Sequence, residues 1–136
     1  MIRATAQEHT AGKLVICPTP LGNLGDMPPR ARTSLETCDV VYCEDTRVTG
    51  KLLAALGIQK RLERLDEASL AQKADSALDR VEAGECVCYC SDAGMPGVSD
   101  PGQRLIERAY ERGLAVEVLP GGTAVATAYV ASGFTA

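Results

Sequence analysis

The chain has 136 residues, 46% of them hydrophobic, which suits a single domain with a substantial core. No apolar stretch reaches the roughly 18–20 residues of a membrane span, and the first twelve residues lack the apolar segment of a signal peptide. A net charge of −4 and the absence of Trp argue against a free-standing nucleic-acid binder, although a nucleic-acid substrate is not excluded. We expect residues 1–12 to be a flexible tail and residues 13–136 to form the domain.

Apolar runs and helical patterns alternate from Lys13 onward. The runs predict strands over 13–18, 39–43, 61–65, 86–90 and 115–119. Helices are predicted from a cap at Asp26 to about Thr37, and then over 47–56, 70–83, 103–112 and 123–131. This alternation is typical of an α/β domain, with three layers and a mostly parallel five-stranded sheet. The helical spacing predicts these inward side chains: Ala31, Leu35, Leu52, Leu53, Leu56, Leu70, Ala74, Leu78, Val81, Leu105, Ile106, Ala109 and Tyr110.

Six cysteines, at positions 17, 38, 43, 86, 88 and 90, contain no C-x-x-C pair, and the single histidine is His9 in the tail. This pattern predicts no metal site. Cys86, Cys88 and Cys90 alternate along one predicted strand, so we expect their thiols to lie on one face as small buried side chains. Free buried thiols fit a reducing cytoplasm.

Four polar loops follow predicted strands, at 19–24, 44–47, 91–102 and 120–124. The carboxyl ends of parallel strands meet at one edge of a sheet, where α/β proteins bind ligands. The first loop contains neither the dinucleotide pattern G-x-G-x-x-G nor a phosphate-binding P-loop. The longest loop, S-D-A-G-M-P-G-V-S-D-P-G, favours a functional role because long loops in compact domains are usually used. Its alternative interpretation is a structural loop with a turn at Asp92 and a cap at Asp100.

The sequence Glu44-Asp45-Thr46-Arg47 has two interpretations. It can be an ordinary helix start, in which Asp45 or Thr46 caps the first turn. That interpretation explains Arg47 poorly, because a cation in the first turn opposes the helix dipole. We therefore expect Arg47 to be held by Glu44 or by an anionic substrate.

Taken together, these loops resemble the amino-terminal domain of the tetrapyrrole methylase superfamily, from about Lys13 to Thr135. Within it they are similar to the branch that methylates a cytidine 2′-hydroxyl in small-subunit ribosomal RNA. The matching sequences are T-P-L-G-N-L at 19–24, E-D-T-R at 44–47 with K-L-L at 51–53, S-D-A-G at 91–94 with Pro96, S-D-P-G at 99–102, P-G at 120–121 and A-S-G at 131–133.

The resemblance implies a methyltransferase that uses S-adenosylmethionine, bound between this domain and a second α/β domain. It implies a substrate that is small-subunit ribosomal RNA or the assembled subunit, a homodimer in the full-length enzyme, and no membrane partner. It places Glu44, Asp45 and Arg47 toward the RNA. From the chemistry of methyl transfer to a hydroxyl, we expect Arg47 to hold a phosphate and a carboxylate of Glu44, Asp45 or Asp100 to orient or accept the hydroxyl proton. The implied cofactor-binding residues are Pro20, Gly22, Ser91, Asp92, Gly94, Met95, Thr123 and Ala124.

The chain departs from the family at four points. Met95 stands where Thr is usual, and Pro120-Gly121-Gly122-Thr123 replaces P-G-P-S. The stretch 66–69, D-E-A-S, lacks the histidine of the family motif there. A second domain would not fit within 136 residues, so we expect a fragment carrying half of the cofactor cleft. Two alternatives stay open, a methyltransferase for a precorrin-type tetrapyrrole and a non-catalytic folded half-site that dimerises or binds cofactor weakly.

Overall fold

The computed structural model describes residues 12–17, 27–90 and 102–119. Five strands form one parallel sheet in the order β3-β2-β4-β1-β5. The predicted α/β class and parallel five-stranded sheet are confirmed, while the helix predicted over 123–131 lies outside the described residues. The strands are β1 (Lys13–Cys17), β2 (Val40–Cys43), β3 (Leu62–Arg64), β4 (Cys86–Cys90) and β5 (Val116–Val118). The helices are α1 (Pro29–Thr37), α2 (Thr46–Ala55), α3 (Leu70–Glu82) and α4 (Gly102–Glu111).

The helices cover the two faces of the sheet in pairs. α1 and α2 pack through residues such as Leu35 and Leu53 on one face, the α1/α2 face. α3 and α4 pack through residues such as Leu78 and Leu105 on the opposite face, the α3/α4 face. Along the chain, the first two strand-to-strand connections run across the sheet toward β3, and the next two run toward β5. Because all four crossovers have the same handedness, the two pairs of helices lie on opposite faces. Burial on both faces explains why β1, β2 and β4 are apolar nearly throughout.

Most predicted inward side chains are buried, but the prediction for Tyr110 is wrong. Tyr110 is 43% exposed, because the buried stripe of α4 is formed by Leu105, Ile106 and Ala109. The four-residue spacing from Ile106 made Tyr110 look inward, yet it falls at the edge of that stripe. In α2 the buried positions are Thr49 and Leu53, whereas Leu52 and Leu56 are half-buried.

Glycines end three of the helices, as the sequence predicted. Gly57, Gly84 and Gly113 have φ values of 73°, 101° and 69°, a backbone conformation that favours glycine. The N–H of the residue after each glycine donates to a carbonyl five residues earlier, at 2.9 Å in all three cases. At the other end of α1, the N-cap position is Pro28. Asp26, the predicted cap, lies outside the described residues.

Lys60, in the segment before β3, forms hydrogen bonds with the carboxyl end of α1. Its Nζ donates to the backbone carbonyls of Glu36 at 2.9 Å and Cys38 at 2.6 Å. A cation at this end also complements the helix dipole. We expect Lys60→Ala to lower the free energy of unfolding by about 1 kcal/mol in urea titrations. Lys51→Ala, at an exposed position of α2, is the matched control, and an equal loss there would contradict this explanation.

The cysteines behave as small apolar side chains, as predicted. All six are free, and five are buried while Cys86 is half-buried. Cys86, Cys88 and Cys90 all pack on the α1/α2 face, together with Cys17 and Cys38. The predicted common face of the β4 thiols is therefore confirmed.

Candidate functional site

The carboxyl edge of the sheet has the strand topology at which α/β proteins form a ligand crevice. Cys43, Cys90 and Cys17 end β2, β4 and β1 and are level with one another in the strand register. The chain leaves β1 and β2 toward the α1/α2 face, but it leaves β4, which lies between them, toward the α3/α4 face. Diverging connections open a crevice at the carboxyl ends of neighbouring strands. This edge is therefore the candidate site, and the chain continues from it into the 91–101 segment.

Three of the predicted site residues lie in the described part of the chain: Glu44, Asp45 and Arg47. They follow β2 directly, at the crevice edge. The remaining predicted residues lie outside the described ranges, so their roles stay predictions: Pro20, Gly22, Ser91, Asp92, Gly94, Met95, Asp100, Thr123 and Ala124.

Asp45 is the N-cap of α2 and the partner of Arg47. Its Oδ1 accepts a hydrogen bond from the Arg47 backbone N–H at 2.9 Å. The guanidinium Nε and Nη2 of Arg47 reach Oδ1 and Oδ2 of the same carboxylate, each at 3.3 Å. The sequence suggested Glu44 or a substrate as the partner of Arg47, and the structure shows Asp45 as a partner that the sequence analysis did not name. An N-cap carboxylate stands beside the first turn, which explains how a cation is tolerated there.

These contacts also set the charge of Asp45. The Arg47 guanidinium, followed by the Arg47 backbone N–H, holds the pKa of the Asp45 carboxyl below its usual range. Asp45 is thus ionised and already engaged by donors, which makes it a weak proton acceptor. Arg47 itself is 87% exposed, so its guanidinium remains accessible from solvent.

A pH titration of stability would test the capping role of Asp45. Because its pKa is lowered in the folded state, the unfolded chain takes up the proton first, and the stabilisation is lost as pH falls through the folded-state value. We expect Asp45→Ala to lower the urea midpoint at pH 7. Below the ordinary Asp pKa of about 3.8, we expect the urea midpoints of the variant and the wild type to become more similar. A difference that stays constant down to pH 2 would contradict this assignment.

A second polar cluster follows β3, at the stretch where the family motif lacks its histidine in this chain. Arg64 donates from Nε to Asp66 Oδ2 at 2.8 Å. Asp66 Oδ1 accepts from both the hydroxyl and the backbone N–H of Ser69, each at 2.9 Å. The hydroxyl and then the backbone N–H of Ser69 are the main causes that lower the pKa of the Asp66 carboxyl. The sequence analysis did not select Arg64. The feature that could have indicated its pairing is the acidic residue two positions later, Asp66.

Two depressions of similar volume lie beside the described sheet. One, of about 490 Å³, is lined by Arg64, Asp66, Ser69, Gln72 and Lys73 at the junction of β3 and α3. The other, of about 460 Å³, lies at the carboxyl end of α2 and so at the opposite edge of the sheet. Within the described residues there is no cluster of three or more metal-ligating side chains and no helix long and apolar enough to cross a bilayer.

Comparison with known proteins gives consistent matches over nearly the whole chain. A family model described as tetrapyrrole (corrin/porphyrin) methylases matches residues 13–136. The chain is 41% identical over 126 residues to ribosomal RNA small subunit methyltransferase I of Escherichia coli O157:H7, covering 93% of this chain and 44% of that protein. The protein of the same name from Vibrio cholerae serotype O1 is 44% identical over 120 residues, covering 88% and 42%. The chain thus spans somewhat under half the length of these relatives.

Solved structures with the same fold are more distant in sequence. Uroporphyrin III C-methyltransferase from Thermus thermophilus superposes with a TM-score of 0.64 at 21% identity, covering 84% of this chain and 50% of that one. Cobalt precorrin-4 methyltransferase, a cobalamin biosynthetic enzyme, gives a TM-score of 0.67 at 23% identity, covering 88% and 50%. At this level of identity, the two superpositions establish the fold alone.

Proposed function

Because the chain belongs to the tetrapyrrole methylase family, we propose that it forms the amino-terminal half-site of an S-adenosylmethionine-dependent ribosomal RNA methyltransferase. The observation that carries the proposal is 41–44% identity, over 88–93% of the chain, to proteins named ribosomal RNA small subunit methyltransferase I. We propose that residues 13–136, which match the family model, are the amino-terminal domain. The homodimer and the cytoplasmic location stay part of the proposal, the latter supported by six free cysteines.

The strand order supports a cofactor site at this edge of the sheet. β4 and β1 are adjacent, and β5 is next to β1, so the three segments that resemble the family's cofactor loops all leave neighbouring strands. When bound, S-adenosylmethionine supplies an electrophilic sulfonium methyl group. We propose that its binding residues are Pro20, Gly22, Ser91, Asp92, Gly94, Met95, Thr123 and Ala124.

The protein's own task is to place a ribose 2′-hydroxyl about 3 Å from that methyl and to remove its proton. Glu44 follows β2, the strand beside β4, so it stands at the crevice edge. Because the oxygens of Asp45 are taken up by Arg47, we propose Glu44 as the group that orients or accepts the proton, with Asp100 as the other candidate. We propose that Arg47 contacts an RNA phosphate and that the target is a cytidine.

A methylation assay tests this function. Protein that also contains the second family domain is incubated with methyl-labelled S-adenosylmethionine and either small ribosomal subunits or a tetrapyrrole substrate. We expect label on a cytidine ribose of the small-subunit RNA and none on the tetrapyrrole. Label on the tetrapyrrole alone would replace the proposal with the precorrin alternative. Titration calorimetry of the 136-residue chain with S-adenosylmethionine measures separately how much of the cofactor site this half provides.

A further inference from the structure

We propose that Arg64 is a phosphate-contact residue for the RNA substrate, held in position by Asp66 and Ser69. This proposal rests on the ribosomal RNA function proposed above, and it concerns a residue outside every motif that carries the family resemblance. The three side chains line the depression at the junction of β3 and α3.

The guanidinium of Arg64 is anchored at one side only. Its Nε donates to Asp66 at 2.8 Å, and within residues 12–17, 27–90 and 102–119 neither Nη1 nor Nη2 donates to an acceptor. The side chain is 68% exposed. The free edge of the guanidinium is therefore available to form paired hydrogen bonds to two phosphate oxygens. Arg47 differs, because both its Nε and its Nη2 are engaged by Asp45.

The anchor of Arg64 is itself fixed. Asp66 Oδ1 accepts from the hydroxyl and the backbone N–H of Ser69, each at 2.9 Å. In return, the backbone N–H of Asp66 donates to the Ser69 hydroxyl oxygen at 3.1 Å. This reciprocal pair holds the carboxylate in one orientation, so less side-chain entropy is lost when Arg64 binds an anion.

Arg64 lies at the same edge of the sheet as the Glu44–Arg47 turn. In the register of β2 and β3, Arg64 is level with Cys43, the residue directly before Glu44. The depression also contains Lys73, a second cation that is 41% exposed and whose Nζ lies 3.5 Å from Oε1 of Glu63. A single strand of RNA whose ribose reaches Glu44 would therefore pass these cations on the β3 side of the crevice. A polyanion is the ligand class that uses several separated cations along one edge.

The test measures RNA affinity of the 136-residue chain by fluorescence anisotropy, with a labelled single-stranded oligonucleotide of small-subunit ribosomal RNA, at several salt concentrations. We expect Arg64→Ala to weaken binding about tenfold at low salt and to reduce the slope of log affinity against log salt by about 0.7. Arg64→Lys should restore the slope but only part of the affinity, since an ammonium cannot form the paired contact. Circular dichroism confirms folding of each variant.

The control is Arg108→Ala, which removes another exposed arginine. Arg108 on α4 pairs with Asp75 at 2.8 Å on the α3/α4 face, away from the crevice edge. This variant should keep wild-type affinity and salt slope.

Asp66→Asn separates positioning from charge. The amide keeps one oxygen for Ser69 but presents no second acceptor to the Arg64 Nε. Its net charge is one unit more positive, so a purely electrostatic role predicts tighter RNA binding. The positioning role predicts weaker binding despite the added positive charge.

Each outcome has a distinct meaning. Wild-type affinity and slope in Arg64→Ala would overturn the proposal while leaving the proposed methyltransferase function intact. Tighter binding by Asp66→Asn would overturn the role of Asp66 as anchor. A wild-type chain that binds no RNA would overturn both the phosphate contact and the assignment of RNA binding to this half. Arg64-dependent RNA binding without S-adenosylmethionine binding would contradict only the proposed cofactor half-site.

Discussion

Substituting Gly12 by alanine is expected to lower the free energy of unfolding by about 3 kcal/mol, the upper part of the range for overpacking. A Cβ at this position would lie 2.0 Å from the carbonyl oxygen of Val81 and 2.8 Å from that of Glu85. Both contacts are with backbone, so relief requires either residue 12 or the end of α3 and the turn after it to shift. Gly12 does not have a positive φ, so the cost comes from the contact and not from backbone strain.

Gly50→Ala is the matched control for this prediction. Gly50 lies inside α2, and an added Cβ would meet only the Leu62 side chain, at an ordinary 3.6 Å. Alanine is the better helix former, so this variant should be more stable than wild type by about 0.5–1 kcal/mol. Urea titration of both variants gives the comparison. If Gly12→Ala were as stable as wild type, the close packing of residue 12 against α3 would be wrong.

Replacing Glu44 by glutamine should reduce the methylation rate by about 10²–10⁴-fold if its carboxylate serves as the general base. The substitution keeps the size of the side chain and removes only its ability to accept the proton. The affinity for S-adenosylmethionine, measured by calorimetry, should be unchanged. The assay uses small ribosomal subunits and protein containing both family domains.

Asp45→Asn provides the comparison for Glu44→Gln. Asparagine is nearly as good an N-cap as aspartate, so α2 should keep its start. Since Asp45 is held by Arg47 and a poor acceptor, we expect its substitution to slow methylation much less than that of Glu44. A larger loss of methylation rate for Asp45→Asn than for Glu44→Gln would assign the general base to Asp45 instead of Glu44.

Patterns of apolar residues were sufficient to predict the architecture. The predicted limits of β4, Cys86–Cys90, are those of the structure, because five consecutive apolar residues lie between polar stretches of the sequence. Leu70, Ala74, Leu78 and Val81 were correctly placed on the inner face of α3, since their spacing covers its whole length. Tyr110 failed because periodicity does not indicate how far the covered stripe extends around a helix.

The candidate site was predictable in its place but not in its contacts. Alternating strands and helices put Glu44 and Arg47 at the carboxyl edge, and the structure agrees. The pairing of Arg47 with Asp45 depends on the extended backbone of the N-cap, with φ −131° and ψ 108°, which sequence spacing does not specify. The sequence did not indicate Arg64 as a binding residue. Its candidacy depends on the observation that Asp66 accepts from Nε and leaves the other two guanidinium nitrogens unused.

The pairing of β1 has a consequence for folding. Within the described residues, the strands that pair with β1 are β4 and β5, whose residues begin at Cys86 and Val116, whereas β2 and β3 pair with each other early in the chain. Such distant pairing raises the contact order, which slows folding. During synthesis from the amino end, Leu14, Val15 and Ile16 stay without their partners until some seventy more residues have been made. We therefore expect nascent chains that end before Cys86 to expose β1, and to depend on chaperones until β4 arrives to occupy the centre of the sheet.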